Sequence, residues 1–113
     1  MKCKVSVKII GQEGENILGF GRGIVSLLEG VDQYGSINRA THNMGMAYSK
    51  AWKIIKTTEK EMGFKLLDRA EGNTSVLTPE ARELVKLYHE VRIAAQKAAE
   101  DAFEEKMAKF INK

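Results

Sequence analysis

Residues 81–113 contain neither proline nor glycine, and that run constrains the fold more than any other part of the chain. Thr78-Pro79-Glu80 stands directly before it: a capping hydroxyl, a proline suited to the first helical position and an acid in the first turn. A helix that starts so firmly and meets no breaker approaches about 45–50 Å in length. Along it Ala81, Leu84, Tyr88, Val91, Ala95, Ala98 and Ala102 recur in steps of three and four, a seam that needs a partner helix over its whole length. A chain of 113 residues, 43% of them hydrophobic, holds one small core, which cannot cover such a rod. The expected partner is a second copy, giving a homodimer with Leu84, Tyr88, Val91, Ala95, Ala98 and Ala102 at the interface; a solvent-exposed or frayed tail is the alternative. Phe103, Met107 and Phe110 lie beyond the strict seam and would leave an apolar strip in water if uncovered. The expected division is a head of residues 1–78 and a long C-terminal dimerisation helix of residues 79–113.

Within the head, residues 2–9 alternate, with Cys3, Val5, Val7 and Ile9 on one face and Lys2, Lys4, Ser6 and Lys8 on the other, which predicts a half-buried strand. Turn chemistry at residues 11–14 predicts a hairpin whose second strand is residues 15–18. A first helix is expected over residues 22–34, with Ile24, Leu27, Leu28 and Val31 inward and Gly35 as its stop. Ser36 caps a second helix to residue 44, its inner face made of Ile37, Ala40 and Met44. A third helix follows Gly45, from about residue 47 to 62. At 100° per residue, Ala51, Ile55, Thr58 and Met62 fall within about 60° of arc, opposite Ser49, Lys53, Lys56 and Lys60. Helix, glycine turn, then a helix with an apolar inner face and a hydroxyl-and-lysine outer face is the pattern of a helix-turn-helix. Residues 65–70 and 75–77 flank Glu71-Gly72-Asn73-Thr74 as a hairpin placed where a wing belongs. The expected fold is mainly α with small β-hairpins: a winged helix-turn-helix with a long C-terminal helix.

Charge gives this helical pair a direction. Residues 33–58 contain no Asp or Glu, yet Arg39, Lys50, Lys53 and Lys56 fall there. The net charge of +3 resides in residues 1–78, which hold 11 Lys and Arg against 8 Asp and Glu, whereas residues 79–113 hold 7 of each. Positive charge gathered on one helical pair makes a surface for a polyanion, here double-stranded DNA. The bland alternative is a solvated helix face.

Other chemistries find less support. Cys3, His42 and His89 lack the paired spacing of a zinc site, so neither metal nor cofactor is expected. A lone cysteine and the lack of a signal peptide or a bilayer-length apolar run make a reducing cytoplasm the expected location, with no membrane partner. Gly19-Phe20-Gly21-Arg22-Gly23 superficially suggests a dinucleotide-binding loop, but lacks the third glycine of GxGxxG and a following βαβ unit. No nucleophile, base and orienter assemble, and an enzyme is not expected.

Residues 19–91, about two thirds of the chain, resemble the N-terminal winged helix-turn-helix domain of ModE-type molybdate-responsive transcriptional regulators, itself close to LysR-type heads. The matching residues are Gly19-Phe20-Gly21-Arg22, Leu27-Leu28-Glu29, Gly35-Ser36-Ile37, Met44-Gly45-Met46-Ala47-Tyr48, Ala51-Trp52 and Leu77-Thr78-Pro79. The resemblance implies a dimeric regulator whose third helix enters the major groove, whose wing touches flanking backbone or minor groove and whose last helix pairs subunits. It does not extend to the C-terminal oxyanion-binding module of full-length members; a separate effector-binding partner is one way such a module would act here.

On the residues themselves, Lys53 and Lys56 suit both phosphate and base contacts. Ser49 and Lys50 lie near the start of the third helix, and Ser36 and Arg39 at the start of the second, where amide groups and a cation favour phosphate. Tyr48 and Trp52 lie between the inner and outer faces; Trp52 suits either the core edge or DNA. Arg69, Asn73 and Thr74 are the wing candidates, the last two equally suited to forming the turn. The function expected is a sequence-specific DNA-binding transcriptional regulator. The competing expectation is a winged-helix protein-interaction module that dimerises without binding DNA.

Overall fold

A left-handed residue ends the first helix and sets the angle at which the second leaves it. In the computed structural model, which describes residues 1–10 and 19–112, helix α1 (Arg22–Tyr34) stops at Gly35 with φ 76°, and the Gly35 amide donates to Val31 O at 2.7 Å. Helix α2 (Ile37–Met44) starts at once, capped by Ser36, whose Oγ accepts from Arg39 N at 3.0 Å. Close approach of the two helices is allowed by Gly30: a Cβ there would lie 3.0 Å from the Ala40 Cβ. Helix α3 (Tyr48–Met62) begins at Ala47 without a side-chain cap and ends at Gly63.

The core follows the expected periodicity. Ile24, Leu27, Leu28 and Val31 of α1, together with Val25, are buried, as are Ala51, Ile55 and Thr58 of α3, while Ser49, Lys53, Lys56 and Lys60 are exposed. Helix α2 departs from expectation at Met44, which is 38% exposed. Its place is taken by Thr41, buried with its Oγ1 donating to Asn38 O at 3.0 Å, because α2 is eight residues long and Met44 lies in its final, outward turn.

Strand β1 (Leu67–Arg69) pairs antiparallel with β2 (Ser75–Leu77) in the register Leu67 to Leu77, Asp68 to Val76 and Arg69 to Ser75, with a short 3-10 turn (Glu71–Asn73) at the tip. Ser75 N donates to Gly35 O at 2.8 Å, which ties this wing to the turn between α1 and α2. Thr78 then performs two tasks: its Oγ1 accepts from Ala81 N at 3.1 Å as the cap of α4 (Pro79–Ile111) and donates to Lys65 O at 2.7 Å.

Helix α4 is a single rod of 33 residues and gives the molecule its long axis of 63 Å. Its first turns close the core through Ala81 and Tyr88, with Leu84 and Val85 packed beside them. Two polar pairs fasten it to α1: Arg82 grips both oxygens of Asp32 at 2.7 and 3.1 Å, and His89 Nε2 lies 3.1 Å from Glu29 Oε2. Tyr88 is therefore corrected as a dimer-seam residue: it is 3% exposed and its ring packs within its own subunit.

The predicted N-terminal strand is also corrected. Among the described residues only Ile9 pairs, with Phe20, in an isolated antiparallel bridge of 2.9 and 2.7 Å. Upstream, the backbone partner is a side chain: Gln96 Nε2 donates to Cys3 O at 2.7 Å and Gln96 Oε1 accepts from Val5 N at 3.0 Å. The amide of Gln96 thus mimics the peptide edge of a neighbouring strand, and the segment lies along α4. The turn at residues 11–14 and the return strand at 15–18 fall outside the described residues.

Candidate nucleic-acid interface

Seating α3 by Ala51, Ile55 and Thr58 turns its opposite face to solvent. Tyr48, Ser49, Lys50, Lys53 and Lys56 are all exposed there, and Trp52 is half-buried between the two faces. Among the described residues Lys50 and Lys53 have no carboxylate partner, whereas Lys56 Nζ lies 3.4 Å from Glu59 Oε1. The same ammonium sits 5.3 Å from the centroid of the Trp52 ring, a cation–π contact, and Tyr48 meets Trp52 edge-on at 6.4 Å. Trp52 packs on the core cluster and also lines a surface cleft.

That cleft, about 630 Å³ in volume, lies between the first turn of α2, Tyr48 and Trp52 of α3, and β1. Ser36, Tyr48, Trp52 and Arg69 converge on it. The Ser36 oxygen accepts from Arg39 N, which leaves its hydroxyl proton and a second lone pair for a ligand. Arg39 is exposed, its guanidinium carbon 5.8 Å from the Tyr34 ring centroid. Among the lining residues that sequence reasoning missed, Asn38, Lys65, Asp68 and Ser75 are polar. Asn38 was legible as an exposed position two residues after a cap, and Lys65 as the first cation after the Gly63 stop.

The wing is less cationic than its position requires for a strong electrostatic contact. Arg69 is exposed, but so are Asp68 and Glu71. Asn73 closes the tip turn. Thr74 is half-buried and its methyl faces the α1–α2 turn, 3.1 Å from where a Cβ on Gly35 would stand, so it packs the tip end of the wing against that turn instead of projecting from it. Among the described residues no group of three or more His, Cys, Asp or Glu could hold a metal ion, and no helix is long and apolar enough to cross a membrane.

A sequence profile of bacterial regulatory helix-turn-helix proteins of the lysR family matches residues 25–82, which spans α1 to the start of α4. The chain belongs to that lysR family. Among curated proteins it is similar to the molybdenum transport protein ModE of Herbaspirillum seropedicae, 31% identical over 71 residues, covering 59% of this chain and 26% of that protein. It is likewise similar to ModE of Azotobacter vinelandii, 32% identical over 78 residues, covering 66% and 29%. The lysR-family chain thus spans less than a third of the length of these relatives. Among solved structures it resembles the CbnR_DBD–DNA complex (TM-score 0.59, 13% identity, 74% of this chain and 95% of that one) and the BenM_DBD/benA site 1 DNA complex (0.55, 17%, 76% and 93%). ArgP from Mycobacterium tuberculosis is a third (0.53, 19%, 68% and 28%). At these identities the likeness is one of fold, and it is the winged helix-turn-helix with a long C-terminal helix.

Proposed function

We propose that this lysR-family chain is a sequence-specific DNA-binding transcriptional regulator of the cytoplasm that acts as a homodimer, with α3 (about residues 47–62) in the major groove and the wing (about residues 65–77) on the flanking backbone. One observation carries the proposal: the outer face of α3 presents Ser49, Lys50, Lys53 and Lys56 to solvent, and two of the three lysines have no acid partner among the described residues. Cations left unpaired on an exposed helix are available to phosphates, and each phosphate contact releases condensed counterion. Ser36 and Arg69, which line the cleft, and Arg39, exposed on α2, would hold the DNA backbone, which positions the helix without reading sequence. Reading falls to the first turn of α3, where Tyr48, Ser49 and Lys50 would meet base edges. Membership of a regulatory family favours binding over chemistry.

Dimerisation rests on α4. Beyond the head, Leu87 is 49% and Val91 43% exposed, and Ala98 and Ala102 are exposed with Ala95 half-buried. With Tyr88 used inside the subunit, the proposed seam runs Leu84, Leu87, Val91, Ala95, Ala98 and Ala102. Steps of three and four suit a paired helix, and the alanines allow close approach.

A gel-shift titration of the wild-type chain and its K53A/K56A variant against genomic fragments tests the proposal. Between ~50 and ~200 mM salt each phosphate contact accounts for about 3.5-fold in affinity, so the double variant should lose about twelvefold of the salt effect on every fragment. Binding that ignores the two substitutions would favour a winged-helix module that dimerises and docks proteins.

A further inference from the structure

The acid-free stretch of the chain ends at Glu59, and that carboxylate is placed between the two elements that would grip DNA. Its Oε2 accepts from Leu66 N at 2.8 Å, one residue before β1 begins, and its Oε1 lies 3.4 Å from Lys56 Nζ on the outer face of α3. The Glu59 side chain is 13% exposed and Leu66 is buried, so without this carboxylate the Leu66 N–H would lose its acceptor away from water. On its other edge the Leu66 carbonyl accepts from Thr78 N at 3.0 Å. The backbone of Leu66 at the wing root is therefore pinned on both sides, by α3 and by the residue that caps α4. Meanwhile the Lys56 ammonium, otherwise free on a four-carbon stem, is held between the carboxylate and the Trp52 ring.

We propose that Glu59 is a positioning residue for sequence discrimination: it fixes the wing relative to α3 and holds Lys56 in one place, at the cost of weaker attraction to DNA in general. This rests on the DNA-binding function proposed above. A carboxylate beside a lysine opposes every phosphate equally, so it lowers non-specific affinity. Ordering the lysine beforehand lowers the entropy lost on forming a defined contact, so it favours the one site where that contact exists. Glu59 acts through Lys56 and Leu66 and need not touch DNA.

The test compares the full chain with E59Q, E59A, K56A and K56A/E59Q, using a duplex selected from random sequence by the wild-type protein, a non-specific duplex, and hydrogen exchange of the Leu66 amide. The glutamine of E59Q keeps an acceptor for Leu66 N–H and removes the charge. It should leave Leu66 protection within about threefold of wild type, raise non-specific affinity about threefold and lower the ratio of specific to non-specific affinity about three- to tenfold. In the K56A background the same change should leave the ratio unaltered. E59A should also lose about tenfold or more of the Leu66 protection; if E59A does not fold, E59Q decides. An E59Q ratio equal to wild type, or an E59Q effect undiminished in K56A, overturns the proposal while leaving DNA binding intact. Wild-type binding indifferent to both Lys53 and Lys56 overturns the DNA-binding role of the α3 face, and the role of Glu59 with it.

Discussion

Tyr88 stands edge-on to Phe20, ring centroids 6.0 Å apart and planes at 75°, and this pair joins the long helix to the segment leading into α1. Both rings are buried, Phe20 fully and Tyr88 to within 3%. Tyr88→Ala should cost about 3–5 kcal/mol in urea unfolding, a large share of what a domain this size has. Tyr88→Phe keeps the ring and should stay within about 0.5 kcal/mol. A double-mutant cycle with Phe20→Leu should return a coupling of about 0.5–1.5 kcal/mol.

Gly35 and Thr74 meet where the α1–α2 turn touches the wing beside its tip turn. Gly35→Ala places a Cβ 3.1 Å from Thr74 Cγ2 and forces φ 76° on a residue that has one. The left-handed conformation alone costs about 1–2 kcal/mol, and the contact adds to it. In a Thr74→Ser background, which removes that methyl, Gly35→Ala should cost less than in wild type; thermal unfolding of the four proteins measures the difference.

The exposed side of α4 predicts its own disruption. Val91→Asp places a charge on the proposed seam at a residue 43% exposed in the single chain, so the subunit fold should change by about 0.5 kcal/mol or less. Sedimentation mass should fall from twice the 12.6 kDa of the chain to 12.6 kDa. Lys97→Glu, away from the seam, should leave the mass unchanged.

Much of this architecture is legible in the amino-acid order, and the limits have a physical cause. Helices α1 to α4 announce themselves because a glycine or a cap stands at their ends and apolar residues recur at helical spacing within them. Periodicity reports that a face is covered, however, and not by what. Tyr88 fits the step of a seam yet packs on Phe20 of its own chain, and residues 2–8 alternate like a strand, yet the Cys3 carbonyl and the Val5 amide are bonded by the Gln96 side chain. Glu59 looks like an ordinary helix-surface acid until the chain folds back at Gly63 and brings Leu66 N to it. Asn38 and Lys65 are legible singly as exposed polar positions, but their meeting in one cleft, like the packing of Thr74 on Gly35, follows only from tertiary contact.

The most direct test of DNA seated on α3 is lysine acetylation read by mass spectrometry, with and without bound duplex. Lys50, Lys53 and Lys56 should each be shielded several-fold by duplex, while Lys97 and Lys109, whose side chains are 75% and 70% exposed on the distal half of α4, should keep their reactivity. Equal reactivity of the three α3 lysines in the free and bound protein, with protection appearing on α4 instead, would contradict the assignment of α3 as the helix that enters the groove.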